Sequence, residues 1–239
     1  MRVVVFAAHP DDEVIGMGGT MYKHTQRGDE VTVVEVTDGS GGGGSLDGID
    51  PKKLTEIRYG EAKRACVDVL GAKNIEFLGF KDGFLWPSTE SLIAVGKIIR
   101  KYKPDRVYMT HGEFSVGEEN LDHMVVNRLV MEAIFKCTHP DYPEFGKDVW
   151  RTREVFSYEV AMAPIIDATS YVDITDVQDV KMKAIGEYKS QISTMGYFFE
   201  AMNHMAQWHA GVWGVGKYAE AFKCLKVKVN EFRPDLTGV

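Results

Sequence analysis

His9-Pro10-Asp11-Asp12-Glu13 places an imidazole and three carboxylates within five consecutive residues, in a turn that Pro10 stiffens. Like charges this close repel one another and raise each other's proton affinity, so the cluster is costly unless a cation neutralises it. Imidazole and carboxylate are also the donor types of a catalytic Zn2+, which takes three protein ligands and keeps a fourth position open for water. The bland alternative is a solvated acidic turn, a common feature of strand ends, although such turns rarely begin with His.

A third ligand has to come from elsewhere in the chain. The best-placed candidate is His123 in Asn120-Leu121-Asp122-His123, because a strand predicted over 106–109 delivers this segment to the same rim as the first turn. Asn120 reads as a helix N-cap, and an imidazole in the first helical turn is held neutral by the positive helix end. Asp122 is read as tuning or orienting His123. Taken without the acidic turn, His123 would serve equally well as an ordinary surface histidine at a helix start. Of the other histidines, His24 falls on the polar face of the first helix, His139 precedes Pro140 in a loop, and His111 follows the fourth strand, where it could line the rim. His204 and His209 flank Trp208 and read as core or lid packing rather than ligation.

The elements that must position these groups alternate along the chain. Short β-branched runs at 2–8 and 31–36 have the pattern of strands buried on both faces, and further runs follow at 75–78 and 106–109. Between and after them, helical patterns occupy 54–70, 90–102 and 121–135, which is β-α-β-α order. The expected fold is therefore α/β: a Rossmann-like three-layer fold with a mostly parallel central sheet and extra C-terminal elements packed around it. One domain spans 1–239, with a Rossmann-like core at 1–163 and a C-terminal part at 164–239. That part holds a strand near 170–174, a helix at 177–191 and an aromatic, methionine-rich stretch at 195–213. In such sheets ligands bind outside the carboxyl ends of the strands, where the loops after residues 8, 36, 78 and 109 converge. The glycine-rich segment 39–45 reads as a mobile loop on that rim.

Gly16-Met17-Gly18-Gly19-Thr20 lacks the spacing of a dinucleotide-binding loop, and its glycines read instead as letting a helix approach the sheet closely. The chain has 239 residues, 44% hydrophobic and 26% charged, with a net charge of −7. The negative balance argues against nucleic acid, and no apolar stretch is long enough for a membrane span. An odd number of well-separated cysteines, Cys66, Cys137 and Cys224, with no secretory leader, fits a reduced, cytoplasmic chain.

Ala8-His9-Pro10-Asp11-Asp12-Glu13 followed by Gly16-Met17-Gly18-Gly19-Thr20 resembles the opening motif of the PIG-L/LmbE-like N-deacetylases. The resemblance extends through Thr37-Asp38-Gly39, Arg58-x-x-Glu61, Leu70-Gly71-Ala72, the Phe77–Gly83 stretch FLGFKDG, Asp122-His123 and Tyr218-Ala219-Glu220-Ala221-Phe222. It implies a zinc-dependent enzyme, with Fe2+ as another fitting metal, that deacetylates an N-acetylglucosamine-type sugar or related N-acyl glycoside through a metal-activated water. By position it implies His9, Asp12 and His123 as metal ligands, Asp11 as general base, and Arg58 and Asp82 as sugar contacts. Homo-oligomers are common in that family. One departure stands out: where many relatives carry a histidine that stabilises the oxyanion, this chain has Asn120, which can donate a hydrogen bond but carries no charge. His111 or the metal alone would then compensate. A catalytically silent metal- or sugar-binding homologue is the alternative.

Overall fold

The computed structural model describes residues 1–42, 48–113, 119–160 and 164–226, without the side chains of 193–195. Residues 43–45 of the glycine-rich segment, expected as a mobile loop, thus lie outside the described residues. Five parallel strands form the body of one seven-stranded sheet: β1 (Arg2–Ala7), β2 (Glu30–Thr37), β3 (Asn74–Phe80), β4 (Arg106–Thr110) and β5 (Glu154–Tyr158). Two antiparallel strands, β6 (Ser170–Asp173) and β7 (Ala219–Lys226), complete it in the order β3-β2-β1-β4-β5-β7-β6. The α/β, mostly parallel architecture is as expected, and the C-terminal residues extend the central sheet itself as well as packing around it.

Side-chain alternation along β1 explains why this strand is apolar throughout. Val3 and Val5 enter a core beneath α1 (Asp12–Gln26), whereas Val4 and Phe6 enter a second core beneath α3 (Thr89–Tyr102) and α4 (Leu121–Lys136). The first core also takes in Ala62 of α2 (Pro51–Lys63) and Ala184 of α5 (Gln178–Ile185), so helices cover both faces. Asp50 caps α2 by accepting from the Lys52 and Lys53 amides, with Pro51 at the first helical position. A π-helical turn, Arg64–Val69, continues α2 and places Cys66 in the same core.

The helix expected at 177–191 is instead two. α5 ends at Ile185, and α6 (Lys189–Trp213) begins where the Glu61 carboxylate accepts from both the amide and the hydroxyl of Ser190, at 2.8 and 2.6 Å. That long-range cap, across 129 residues, cannot be read from local periodicity. The glycines of the first helix do serve close approach. A Cβ on Gly16 would lie 2.3 Å from the Glu159 carbonyl and from the Tyr158 ring, and one on Gly19 would lie 2.7 Å from Ile174.

The strand order reverses direction between β1 and β4, so the connections leaving these neighbours run to opposite sides and open a crevice at their carboxyl ends. The His9 turn follows β1, and α4, which carries His123, follows β4.

Candidate active site

β1 ends at Ala7 and the chain turns through residues 8–11 into α1. Asp12 folds back over this turn: one of its carboxylate oxygens, Oδ2, accepts the His9 amide at 2.8 Å and lies 3.3 Å from His9 Nδ1. Across the crevice, Thr110 at the end of β4 donates to the His123 carbonyl at 2.9 Å, and Asn127 donates to the Thr110 carbonyl at 2.9 Å. These bonds lash the first turns of α4 to the sheet and leave His123 Nε2 3.4 Å from the same Asp12 oxygen. The two imidazole rings meet edge to face at 5.2 Å. Donor atoms of His9, Asp12 and His123 all lie within 4.8 Å of one another, and all three residues are buried. Two imidazoles and a carboxylate converging on one point are a donor set that fits a divalent ion.

His9 uses its other nitrogen for support. Nε2 lies 3.2 Å from Asp122 Oδ2 and 3.4 Å from Asp82 Oδ1, so Nδ1 is the nitrogen that faces Asp12. Asp122 was expected to orient His123; it reaches across to His9 instead. The same carboxylate accepts the Gly83 and Leu85 amides at 2.7 and 3.2 Å, tying the loop after β3 to His9.

Electrostatics follow from this packing. Burial penalises the charged form of His9, but Asp12, Asp122 and Asp82 outweigh it and hold the imidazole well above its ordinary value. Burial likewise opposes ionisation of Asp12, yet His123 and His9 keep it well below the usual carboxylate range. The site is thus a concentrated negative pocket whose imidazole takes a proton where a cation could sit.

Asp11 occupies the N-cap of α1 at φ 128°, a conformation that strains any residue but glycine by about 1–3 kcal/mol. Glu13 Oε2 accepts its amide at 3.2 Å. Arg58 holds the turn from the other side, donating to the Pro10 carbonyl at 2.6 Å, the Gly39 carbonyl at 2.8 Å and Asp11 Oδ2 at 3.2 Å. Burial raises the Asp11 carboxyl, the Arg58 charge lowers it, and Asp12 and Glu13 raise it again, which together leave it pushed up to about 7. Asp82 is half-buried, 3.8 Å from Arg58, and its Oδ2 accepts the Gly41 amide at 2.9 Å. Asn120 is exposed and caps α4, its Oδ1 accepting the Asp122 amide at 3.0 Å. His111 Nδ1 lies 3.0 Å from Ser157 Oγ, just beyond β4.

Some features escape a reading of the sequence. His24, expected on a polar helix face, is buried and bridges Asp29 at 2.6 Å and the Tyr108 hydroxyl at 3.0 Å. Glu35 interrupts the apolar run of β2 as a fully buried carboxyl beside Glu13 and Cys66, with neither oxygen hydrogen-bonded among the described residues. Its signal is an acidic residue in the middle of a β-branched run rather than at its edge, where Glu30 stands.

Residues 4–134 match the family model described as "PIG-L: GlcNAc-PI de-N-acetylase", and these residues contain the whole His9–Asp12–His123 cluster. The chain belongs to this family. It is 32% identical to the diacetylchitobiose deacetylase of Thermococcus kodakarensis, an alignment covering 80% of this chain and 70% of the relative. The solved structure of N,N'-diacetylchitobiose deacetylase from Pyrococcus horikoshii, complexed with its inhibitor MPG, superimposes with a TM-score of 0.85 at 27% identity, covering 100% of this chain and 88% of that one. A 4-carboxy-2-hydroxymuconate hydratase, GalB of Pseudomonas putida, superimposes with a TM-score of 0.83 at 22% identity over 97% and 99% of the two chains, a likeness of fold alone.

Proposed function

We propose that this chain is a metal-dependent N-deacetylase that hydrolyses the acetamide of an N-acetylglucosamine-type sugar or related glycoside. The observation that carries the reading is the convergence of His9, Asp12 and His123 beside a buried, strained Asp11. A divalent cation held by these three side chains, with zinc the first choice, supplies Lewis-acid activation of a water and of the amide carbonyl.

The chain's own groups do the rest. Arg58 occupies Asp11 Oδ2, so Asp11 takes the proton of the attacking water at Oδ1 and returns it to the departing amine. A carboxyl pushed up by burial suits that two-way traffic, and a bound cation would draw it back down. Glu13 and Arg58 keep Asp11 aimed by holding the two sides of its turn. Asn120 commits its oxygen to the α4 cap, so any hydrogen bond to a developing oxyanion comes from its amide nitrogen, with His111 as the neighbouring alternative. Asp82, on the loop after β3, accepts from sugar hydroxyls in this reading. Arg58, buried as it is, acts on substrate through the groups it holds.

Among the described residues no helix is long and apolar enough to cross a membrane. Three free, separated cysteines support a reducing, cytoplasmic setting. The test is release of acetate from a panel of N-acetylated sugars and glycosides by metal-stripped and zinc-reconstituted protein. Release that requires metal supports the reading, whereas saturable sugar binding without release identifies a silent binding homologue.

A further inference from the structure

α1 is not one continuous helix. Met17 leaves helical geometry at φ −147° and ψ 21°, and the helix restarts beyond it. A restart exposes amides with no partner in the preceding turn, as at any helix N-terminus. Here two of them, Gly19 and Thr20, donate to Glu220 Oε1 and Oε2 at 2.9 and 2.7 Å. Glu220 projects from β7, is 3% exposed, and is neutralised by Lys181 of α5, whose Nζ lies 2.7 Å from Oε1. Between the kink at Met17 and the crevice lie only residues 12–16, little more than one helical turn, and they begin with Asp12. Gly16 within that turn rests against Tyr158 and Glu159, so the short segment has a fixed seat below and a fixed anchor behind.

We propose that Glu220 is a positioning residue for the metal centre: by fixing where α1 restarts, its carboxylate sets the orientation of the Asp12–Gly16 turn and hence of the Asp12 ligand. Charge-assisted hydrogen bonds to two adjacent amides, in a buried setting, define that restart more tightly than a neutral acceptor would. The proposal rests on His9, Asp12 and His123 being metal ligands.

The test loads the full chain with Co2+, whose visible absorption reports coordination geometry, and measures affinity by chelator competition. Glu220→Gln, which retains shape but sets an amide NH2 against a backbone N–H, should alter the cobalt spectrum and weaken binding about tenfold or more, within the usual range of site-to-site coupling. Lys181→Met should lower the melting temperature yet leave spectrum and affinity near wild type, because the two amide bonds remain. A Glu220→Gln protein with wild-type spectrum and affinity overturns the proposal, and so does a Lys181→Met protein altered to the same degree, which would mean general loosening. Linkage is reciprocal, so in wild-type protein metal must slow hydrogen exchange at the Gly19 and Thr20 amides by a comparable factor. That measurement needs no variant to fold, and unchanged exchange also overturns the proposal. Wild-type protein that takes up no cobalt contradicts the metal reading itself and removes this inference with it.

Discussion

Asp122 and His9 stand 113 positions apart in the chain, yet Asp122 Oδ2 lies 3.2 Å from His9 Nε2. The contact fixes which imidazole nitrogen faces Asp12 and joins His9 to the loop after β3. Outer carboxylates of this kind are typically worth about 10–100-fold in metal affinity. Asp122→Ala should therefore weaken zinc binding within that range by chelator competition, and unchanged affinity would remove the support role.

Asp11→Asn keeps the size of the side chain and suits positive φ better than most substitutions. It should retain metal stoichiometrically and lose at least about a hundredfold in turnover, the usual scale for a lost acid-base group. Near-normal acetate release from this variant would dismiss Asp11 as the base.

Arg58→Met deletes three hydrogen bonds and strands a buried carboxylate. Breaking a buried pair from one side typically costs about 3–5 kcal/mol. The melting temperature should fall by many degrees even in metal-free protein. A drop confined to activity would mean that Arg58 acts on substrate alone.

Glu35 predicts the opposite effect. Burial first, then the charges of Glu13, Asp12 and Asp11, hold its carboxyl well above the ordinary value. A carboxyl raised on folding contributes stability below its unfolded value near about 4.3 and loses it as pH rises. Glu35→Met should accordingly stabilise the fold by about 1–3 kcal/mol at neutral pH, the penalty of an unsatisfied buried polar group, and by less near pH 4. Denaturant titrations at the two pH values check this, and equal or negative shifts contradict it.

His24 carries a pH dependence of the other sign. Burial lowers it, Asp29 partly restores it, and Arg106 and Arg27 lower it again, for a net depression. The unfolded chain then binds the extra proton, so this contribution is full above the unfolded value of about 6.5 and declines as pH falls toward the folded value. The stability advantage of wild type over His24→Gln should shrink from pH 7 to pH 5, and a constant gap would count against it.

The order of strands and helices in the first half was legible because strands buried on both faces leave unbroken β-branched runs, as in Val3–Phe6 and Val31–Val34. The ligand candidates were legible because His9 and Asp12 are neighbours in one turn, and because β4 places His123 beside it. What stayed hidden depends on distant partners: the break between α5 and α6 set by Glu61, the kink of α1 held by Glu220, and the burial of His24 by Asp29 and Tyr108. No local window contains these pairs.

The most direct test of the central claim is zinc content after gel filtration, compared between wild type and His123→Ala. One zinc per wild-type chain, with loss of the metal from a folded His123→Ala protein, is the result expected if the late imidazole completes the site begun by His9 and Asp12. Equal zinc retention in both proteins would contradict it.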